Sequence, residues 1–214
     1  MRASGTRSLT VGTLLVLGLA LFLSAAPPPR VPSSTQSSRI PVASSAIVLT
    51  LDPSRSQVHF VVDSTLHTVH GTFTLKSGSL QFDPNTGKAS GEIVVYASSG
   101  ESGNGMRDKR MHKEILQTTQ YPEVSFRPTQ IQGNVAAAGA SDVSVKGIFS
   151  IHGADHNLTA RVHAELSGDH WKGTSTFEVP YVQWGIKDPS SFLLKVQPVV
   201  TVDLEMSGEV KTAK

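Results

Sequence analysis

A period-two alternation of apolar and polar side chains runs from Ala46 almost to the end of the chain. Val58, Phe60 and Val62 alternate with Gln57, His59 and Val61, and Val69, Gly71, Phe73 and Leu75 alternate with His70, Thr72 and Thr74. Val143, Val145, Gly147, Phe149 and Ile151 share one face, as do Leu158, Ala160, Val162, Ala164 and Leu166. Trp171, Gly173, Ser175, Phe177 and Val179 repeat the pattern, and Val200, Val202, Leu204 and Met206 close it. Successive side chains of an extended strand point to opposite faces, so each segment predicts a strand with one buried and one wet side. Asp83-Pro84-Asn85-Thr86-Gly87 supplies a hairpin turn between Leu80–Phe82 and a strand at Ala89–Ala97. Another strand is expected at Glu123–Ile131, and His152–His156 turns the chain back after Val143–Ile151. About eight to ten antiparallel strands of this kind make a barrel or a sandwich, and the pattern alone prefers neither. Long strands arriving as successive hairpins favour an all-β antiparallel barrel of about eight strands.

One stretch, Gly105 to Phe126, breaks the rhythm. Met106, Met111 and Ile115 fall near one helical face, with Arg107, Asp108, Lys109 and Arg110 on the remaining circumference. Asn104 can cap the start, Tyr121-Pro122 ends anything helical, and Val124-Ser125-Phe126 resumes the strand pattern. A short helical insertion over about 105–117 is therefore expected, and an insertion of this length in a compact domain usually closes a cavity or carries a site.

The 214 residues leave room for one domain of about 150 to 170 residues once the N-terminus is set aside. Residues 1–26 read as an export signal: Arg2 and Arg7 precede the apolar run Leu14 to Leu23, and Ser24-Ala25-Ala26 follows. Counted from Leu9 the run is nearly long enough to span a bilayer, and Pro27 hinders cleavage, so residues 9–26 also suit an uncleaved membrane tether. Residues 27–45 hold prolines and serines with almost no large apolar group and read as a disordered linker to a barrel domain at 46–210, with 211–214 as a tail. The expected location is the periplasm or cell envelope. There is no cysteine, which excludes disulfides, thiolate metal sites and a lipoprotein anchor. The formal charge of +2 comes from Arg2, Arg7, Arg30 and Arg39; the remainder carries 15 basic against 17 acidic residues, and nothing in it recruits nucleic acid.

An eight-stranded barrel is just wide enough either to be filled by its own side chains or to hold one small ligand. Gly71, Gly147, Ala160, Ala164, Gly173 and Ser175 share the inward face with phenylalanines, which suits a hollow and equally a solid core of interdigitated large and small residues. By alternation the lumen candidates are Phe60, Phe73, Phe82, Val94, Phe126, Phe149, Phe177 and Val200. His67 and His70 point to opposite faces, and His152 and His156 flank a turn without a third ligand at suitable spacing, so no metal site is expected. The aspartates are scattered over turns and no serine sits in a Gly-x-Ser-x-Gly elbow, so no catalytic residue and no cofactor is assigned. Trp184-Gly185-Ile186 reads as packing near a strand end.

Four blocks in order resemble the YceI-like family of polyisoprenoid-binding proteins: Leu51-Asp52-Pro53-Ser54-Arg55-Ser56-Gln57-Val58-His59-Phe60, Arg107-Asp108 through Tyr121-Pro122-Glu123-Val124-Ser125-Phe126, Val145 through His152-Gly153, and Phe177 through Ile186. The resemblance covers roughly residues 47 to 210. It departs from the family pattern at Asp63 to Phe73, and at Met111 to Leu116, where the family is usually more aromatic. The resemblance implies a lipocalin-like barrel whose lumen holds the isoprenoid tail of a quinone or polyprenyl lipid, and hence a binding protein, not an enzyme. Each buried methylene is worth about 0.8 kcal/mol, so one five-carbon unit exposed to water costs roughly 3 to 4 kcal/mol and must be covered to cross an aqueous space. Arg107 and Lys109 are the candidates to face a head group, against a structural role for Arg107 and Asp108 in fixing the insertion to the barrel; His152, in the turn motif, is expected to hydrogen-bond there. The alternatives are an envelope stress or interaction protein with a filled barrel, and an enzyme acting on a lumenal lipid. A homodimer is compatible with the sequence.

Overall fold

The computed structural model describes residues 46–212, so the expected leader and linker lie outside the described residues. Nine strands follow in order: β1 (Ile47–Leu51), β2 (Gln57–Asp63), β3 (Thr68–Phe82), β4 (Ala89–Glu101), β5 (Glu123–Gln132), β6 (Gly139–Ile151), β7 (Ala154–Ser167), β8 (His170–Val179) and β9 (Val200–Thr212). β9 thus continues two residues into the expected tail. Between β4 and β5 lie helix α1 (Gly105–Arg110) and one π-helical segment, Met111–Ile115.

Every pairing is antiparallel, and β3 pairs with both β2 and β4, which closes the sheet. β1 and β2 together make one stave. Ile47 lies opposite Phe82 of β3 and Thr212 of β9, while Phe60 lies opposite Gly71 of β3 and Val202 of β9. The architecture is therefore a closed eight-stave antiparallel barrel in which one stave is broken. The break has a local cause: Asp52 accepts from the Ser54 amide at 2.9 Å and caps a 3₁₀ turn, Pro53–Arg55, that interrupts the strand. The Asp52 amide still bonds to the Ser207 carbonyl at 2.8 Å, so β9 holds both halves in line.

Alternation survives through most of the staves and reverses at bulges. In β3, Phe73 and Leu75 line the interior, the register against β4 shifts between Leu75 and Ser77, and Leu80 and Phe82 then line it. In β5 the shift between Pro128 and Gln130 does the same, taking the inward set from Val124 and Phe126 to Ile131. The turn after β6 is tighter than the sequence suggests. Ile151 pairs with Ala154, leaving a two-residue loop in which His152 (φ 53°) and Gly153 (φ 76°) both adopt positive φ, as a primed hairpin turn requires. His156 therefore belongs to β7.

The barrel has two unlike ends. Loops 83–88, 133–138 and 168–169 form a plain base. The other end, the mouth, gathers loop 64–67, the helical insertion, the His152–Gly153 turn and the long segment 180–199. Three buried clusters line the wall. Leu51, Leu75, Trp171 and Met206 form one; Leu80, Phe82, Ile131 and Val145 the next; Phe149, Val179, Tyr181 and Ile186 the third, beneath the mouth.

Candidate functional site

The barrel encloses a cavity of about 460 Å³, within the range of small-molecule sites. Phe60, Phe73, Phe82, Phe126, Phe149, Phe177 and Val200 all line it. Val94 does not. It sits in a run of three apolar residues, and the pleat turns Ile93 and Val95 inward and Val94 to the other face of β4. A one-residue choice within Ile93-Val94-Val95 leaves no trace in the sequence, because both faces of β4 are apolar there.

The mixture of glycine and phenylalanine on the inner face produces a hollow. At Gly71 the ring of Phe60 occupies the space that a Cβ would need. A Cβ on Gly147 would lie 2.6 Å from Cζ of Phe126, and one on Gly173 would lie 2.9 Å from Cζ3 of Trp171. The rings are thus seated against bare wall, while Ala160, Ala164 and Ser175 border open space. The aromatic groups also pack on one another, with Phe60 and Phe73 centroids 5.2 Å apart and Phe149 and Phe177 6.1 Å apart.

The lumen offers almost no free polar atom. Its two buried serines are engaged: Ser175 donates to the Arg161 carbonyl at 2.8 Å, and Ser141 accepts from the Ala136 amide at 2.9 Å. Polar recognition is left to the mouth.

There the insertion is fixed through Ser102, just past the end of β4. Asn104 accepts from the Met106 and Arg107 amides and caps α1 as expected. Arg107 donates through Nε to the Ser102 hydroxyl and through one terminal nitrogen to its carbonyl, both at 2.7 Å. The Asp108 carboxylate accepts from the Ser102 amide at 3.0 Å and from its hydroxyl. Arg107 and Asp108 therefore act together through a shared serine that sequence reasoning missed. Ser102→Ala is expected to leave the sheet intact but speed hydrogen exchange of the Arg107–Ile115 amides about tenfold or more, since it removes a part-buried hydroxyl serving two charged groups. Unchanged exchange would show that the clamp is not what holds the insertion down.

Arg107 lines the cavity mouth, as do Arg110, Met111, Ile115 and Leu116. Lys109 does not line it and is exposed. Met106, expected near one helical face with Met111 and Ile115, is 84% exposed, while those two line the cavity. Beyond Arg110 the helix widens to π geometry, with the Leu116 amide on the Met111 carbonyl at 2.8 Å, which rotates later side chains away from positions counted at 3.6 per turn. The helix ends at Gln117 (φ 50°), before Tyr121-Pro122 is reached. Arg110 reaches the Pro189 carbonyl at 3.4 Å, and Glu114 joins Lys187 (2.9 Å) to Arg110 (3.6 Å), so the insertion is tied to segment 180–199. Those cations, the Lys187 hydrogen bond first, hold the Glu114 carboxyl below its usual range.

Tyr181 anchors that segment. It is 5% exposed and donates to the Gln197 carbonyl at 3.0 Å. Burial, assisted by the nearby Asp188 carboxylate, pushes the phenol up to about 12. The unfolded phenol ionises near 10. Its contribution to stability is complete below that pH and is lost as pH rises towards 12, because the unfolded chain releases its proton first. Spectroscopic titration of the folded protein should show a late phenolate step that disappears in Tyr181→Phe; a wild-type step near 10 for all three tyrosines would refute this placement.

The histidines do not converge on a metal, and no cluster with metal-binding potential occurs among the described residues. His67 is at the mouth, 3.5 Å from a terminal nitrogen of Arg107. His152 was expected to hydrogen-bond in its turn. Instead its ring packs on Tyr121 at 4.4 Å and its Nε2 is buried without a partner. His156 stacks on Trp184 at 4.2 Å.

The model of the YceI-like domain matches residues 49–208 of the sequence. The chain belongs to the YceI-like family. No curated protein matches the chain. Among solved structures, a polyisoprenoid-binding domain from Saccharophagus degradans, implicated in plant cell wall breakdown, superposes with a TM-score of 0.59 at 15% identity, covering 76% of this chain and 98% of its own. BcnA of Burkholderia cenocepacia gives 0.59 at 16% identity, covering 74% and 99%. A Campylobacter jejuni YceI protein gives 0.52 at 15%, covering 66% and 84%. At these identities the likeness is one of fold. The YceI-like motifs themselves prove to be architectural. Tyr121 of the Tyr-Pro motif packs on His152 of the His-Gly motif, and a Cβ on Gly153 would lie 2.6 Å from its ring. The Arg-Asp motif clamps Ser102, and the opening block breaks the first stave. Within these blocks, Phe60, Phe126, Phe149 and Phe177 line the lumen itself.

Proposed function

We propose that this YceI-like barrel binds and shelters a long apolar lipid, a polyisoprenoid such as a quinone tail or a polyprenyl phosphate, with the chain in the lumen and the head group at the mouth. The observation that carries the reading is the hollow, carbon-lined lumen, whose only buried hydroxyls are already bonded to backbone. Such a cavity gains by accepting hydrocarbon and offers a polar ligand in its depth little beyond the unpartnered Nε1 of Trp171. Arg107 and Arg110 at the rim suit a phosphate or quinone oxygen. The polyisoprenoid-binding domain of S. degradans shares the fold and supports the same ligand class. Among the described residues no free nucleophile or acid/base pair faces the lumen, which favours a carrier or sequestering role over catalysis, and residues 1–26, read as an export signal, favour the cell envelope as its place of work.

Native mass spectrometry of the protein purified from its host's envelope fraction, followed by organic extraction, tests the reading. A stoichiometric adduct that extracts as a polyprenyl lipid is expected. A bare mass, unchanged on incubation with quinones and polyprenyl phosphates, would sink it.

A further inference from the structure

The exposed large apolar side chains of the described residues are Leu66 (72%), Met106 (84%), Phe192 (96%), Leu193 (82%) and, less so, Tyr96 (40%). All but Tyr96 belong to the mouth; the base loops present none of them. The segments that bear them are bonded to one another. The Thr65 amide donates to the Lys195 carbonyl at 2.9 Å, Arg107 approaches His67, and Arg110 reaches Pro189. Phe192 and Leu193 form the tip of a small turn closed by the Ser191 amide on the Leu194 carbonyl at 2.7 Å and by the Leu194 amide on the Ser191 hydroxyl at 3.2 Å. The turn holds both side chains away from the barrel, and its flanks, Pro189 and Leu194, line the cavity.

Charge follows the same polarity. The insertion and segment 180–199 hold six basic residues against three acidic ones, in a domain where acidic residues outnumber basic ones; the base loops hold Lys88 against Asp83 and Asp169. All three mouth acids are occupied, Asp108 by Ser102, Glu114 by Lys187 and Arg110, and Asp188 by the Ser190 amide at 2.8 Å, while Lys109 and Lys113 stand exposed.

We infer that the mouth is a docking surface for an anionic lipid bilayer, with Phe192 and Leu193 as the inserting wedge and Lys109 and Lys113 on the headgroups. An apolar tip surrounded by cations matches the layering of such a membrane, carbon below and phosphate at the surface. The inference rests in part on the lumen reading: docking at the mouth lets a long lipid pass from bilayer to cavity without exposure to water. It adds that the protein itself approaches the membrane mouth first.

The chain has no cysteine, so a single introduced thiol carries an environment-sensitive fluorophore at a chosen end of the full-length protein. Ser191→Cys reports on the wedge and Asn134→Cys on the base. With phosphatidylethanolamine–phosphatidylglycerol vesicles, the wedge label should blue-shift and the base label should keep its aqueous spectrum. A leader inserted in the bilayer cannot imitate this difference, because it tethers both labels alike. Adding Phe192→Ser and Leu193→Ser should weaken the wedge response roughly a hundredfold in vesicle concentration. Equal shifts at both ends, or none at either, overturn docking. The lumen is scored separately with geranylgeraniol presented from detergent micelles. Binding from micelles without a vesicle response rejects docking and keeps the lumen reading; the reverse pattern rejects the lumen reading and keeps docking. If the serine variant loses geranylgeraniol as well, Lys109→Glu with Lys113→Glu decides: loss of the wedge response to anionic vesicles supports docking, and an unchanged response overturns it.

Discussion

Gly208→Ala should remove at least about 3 kcal/mol of stability, a large share of the roughly 5 to 15 kcal/mol that holds a domain of this kind together. Gly208 lies on β9 opposite Leu51, at the seam where the broken stave joins the sheet. A Cβ there would collide with the Thr50 carbonyl oxygen, lie 2.8 Å from its carbon, and stand 2.9 Å from Nε1 of Trp171. Overpacking among side chains costs about 1 to 3 kcal/mol because rotamers can yield. The carbonyl of Thr50 cannot yield without parting β1 from β9, so ladder hydrogen bonds are lost in addition. Urea unfolding checks this through a fall in midpoint at constant slope. Gly105→Ala is the control: nothing lies within 4 Å of the added methyl, and alanine is a better helix former than glycine by up to about 1 kcal/mol. Equal midpoints for the two variants would mean that β1 does not close the barrel where it is placed here.

The strand faces were open to reading because a wall with oil on one side and water on the other writes its period into the sequence. From Val58 to Met206 the inward sets of six staves follow from alternation alone. What the sequence hid were events that shift the count. Bulges at Leu75/Ser77 and Pro128/Gln130 exchange the two faces within one strand, and only the side chains on either side reveal that a shift has occurred. Ile93-Val94-Val95 offers no polar residue to mark the wet face. At the mouth, Arg107 and Arg110 line the cavity, Lys109 does not, and the helix changes from α to π geometry after Arg110. Spacing cannot signal that change, because it depends on what the helix rests on. The hollow itself was only half legible: glycines opposite phenylalanines suit both a filled and an open barrel, and the choice rests on whether each ring lies across the lumen or on the wall.

That choice makes a plug the most direct test of what the lumen is for. Ala160 of β7 is buried, lines the cavity, and lies opposite Val145 of β6. Ala160→Phe places about six additional carbons in open space, and six carbons withdrawn from a bound hydrocarbon chain cost about 5 kcal/mol, more than a thousandfold in affinity. The fold should not suffer to match. A ring that enters an existing hole gains contacts and strains little, so the melting temperature should hold or rise. Thr159→Phe is the same chemistry one residue away, on the exposed face, and should leave lipid binding within about twofold, since a surface substitution away from the site usually changes little. The pair therefore separates the lumen from the outer wall with one ring and one strand. A protein that keeps full affinity with Phe at 160 holds its lipid elsewhere, at the mouth or on the surface. One that loses lipid with Phe at 160 and keeps it with Phe at 159, both fully folded, binds it inside the barrel.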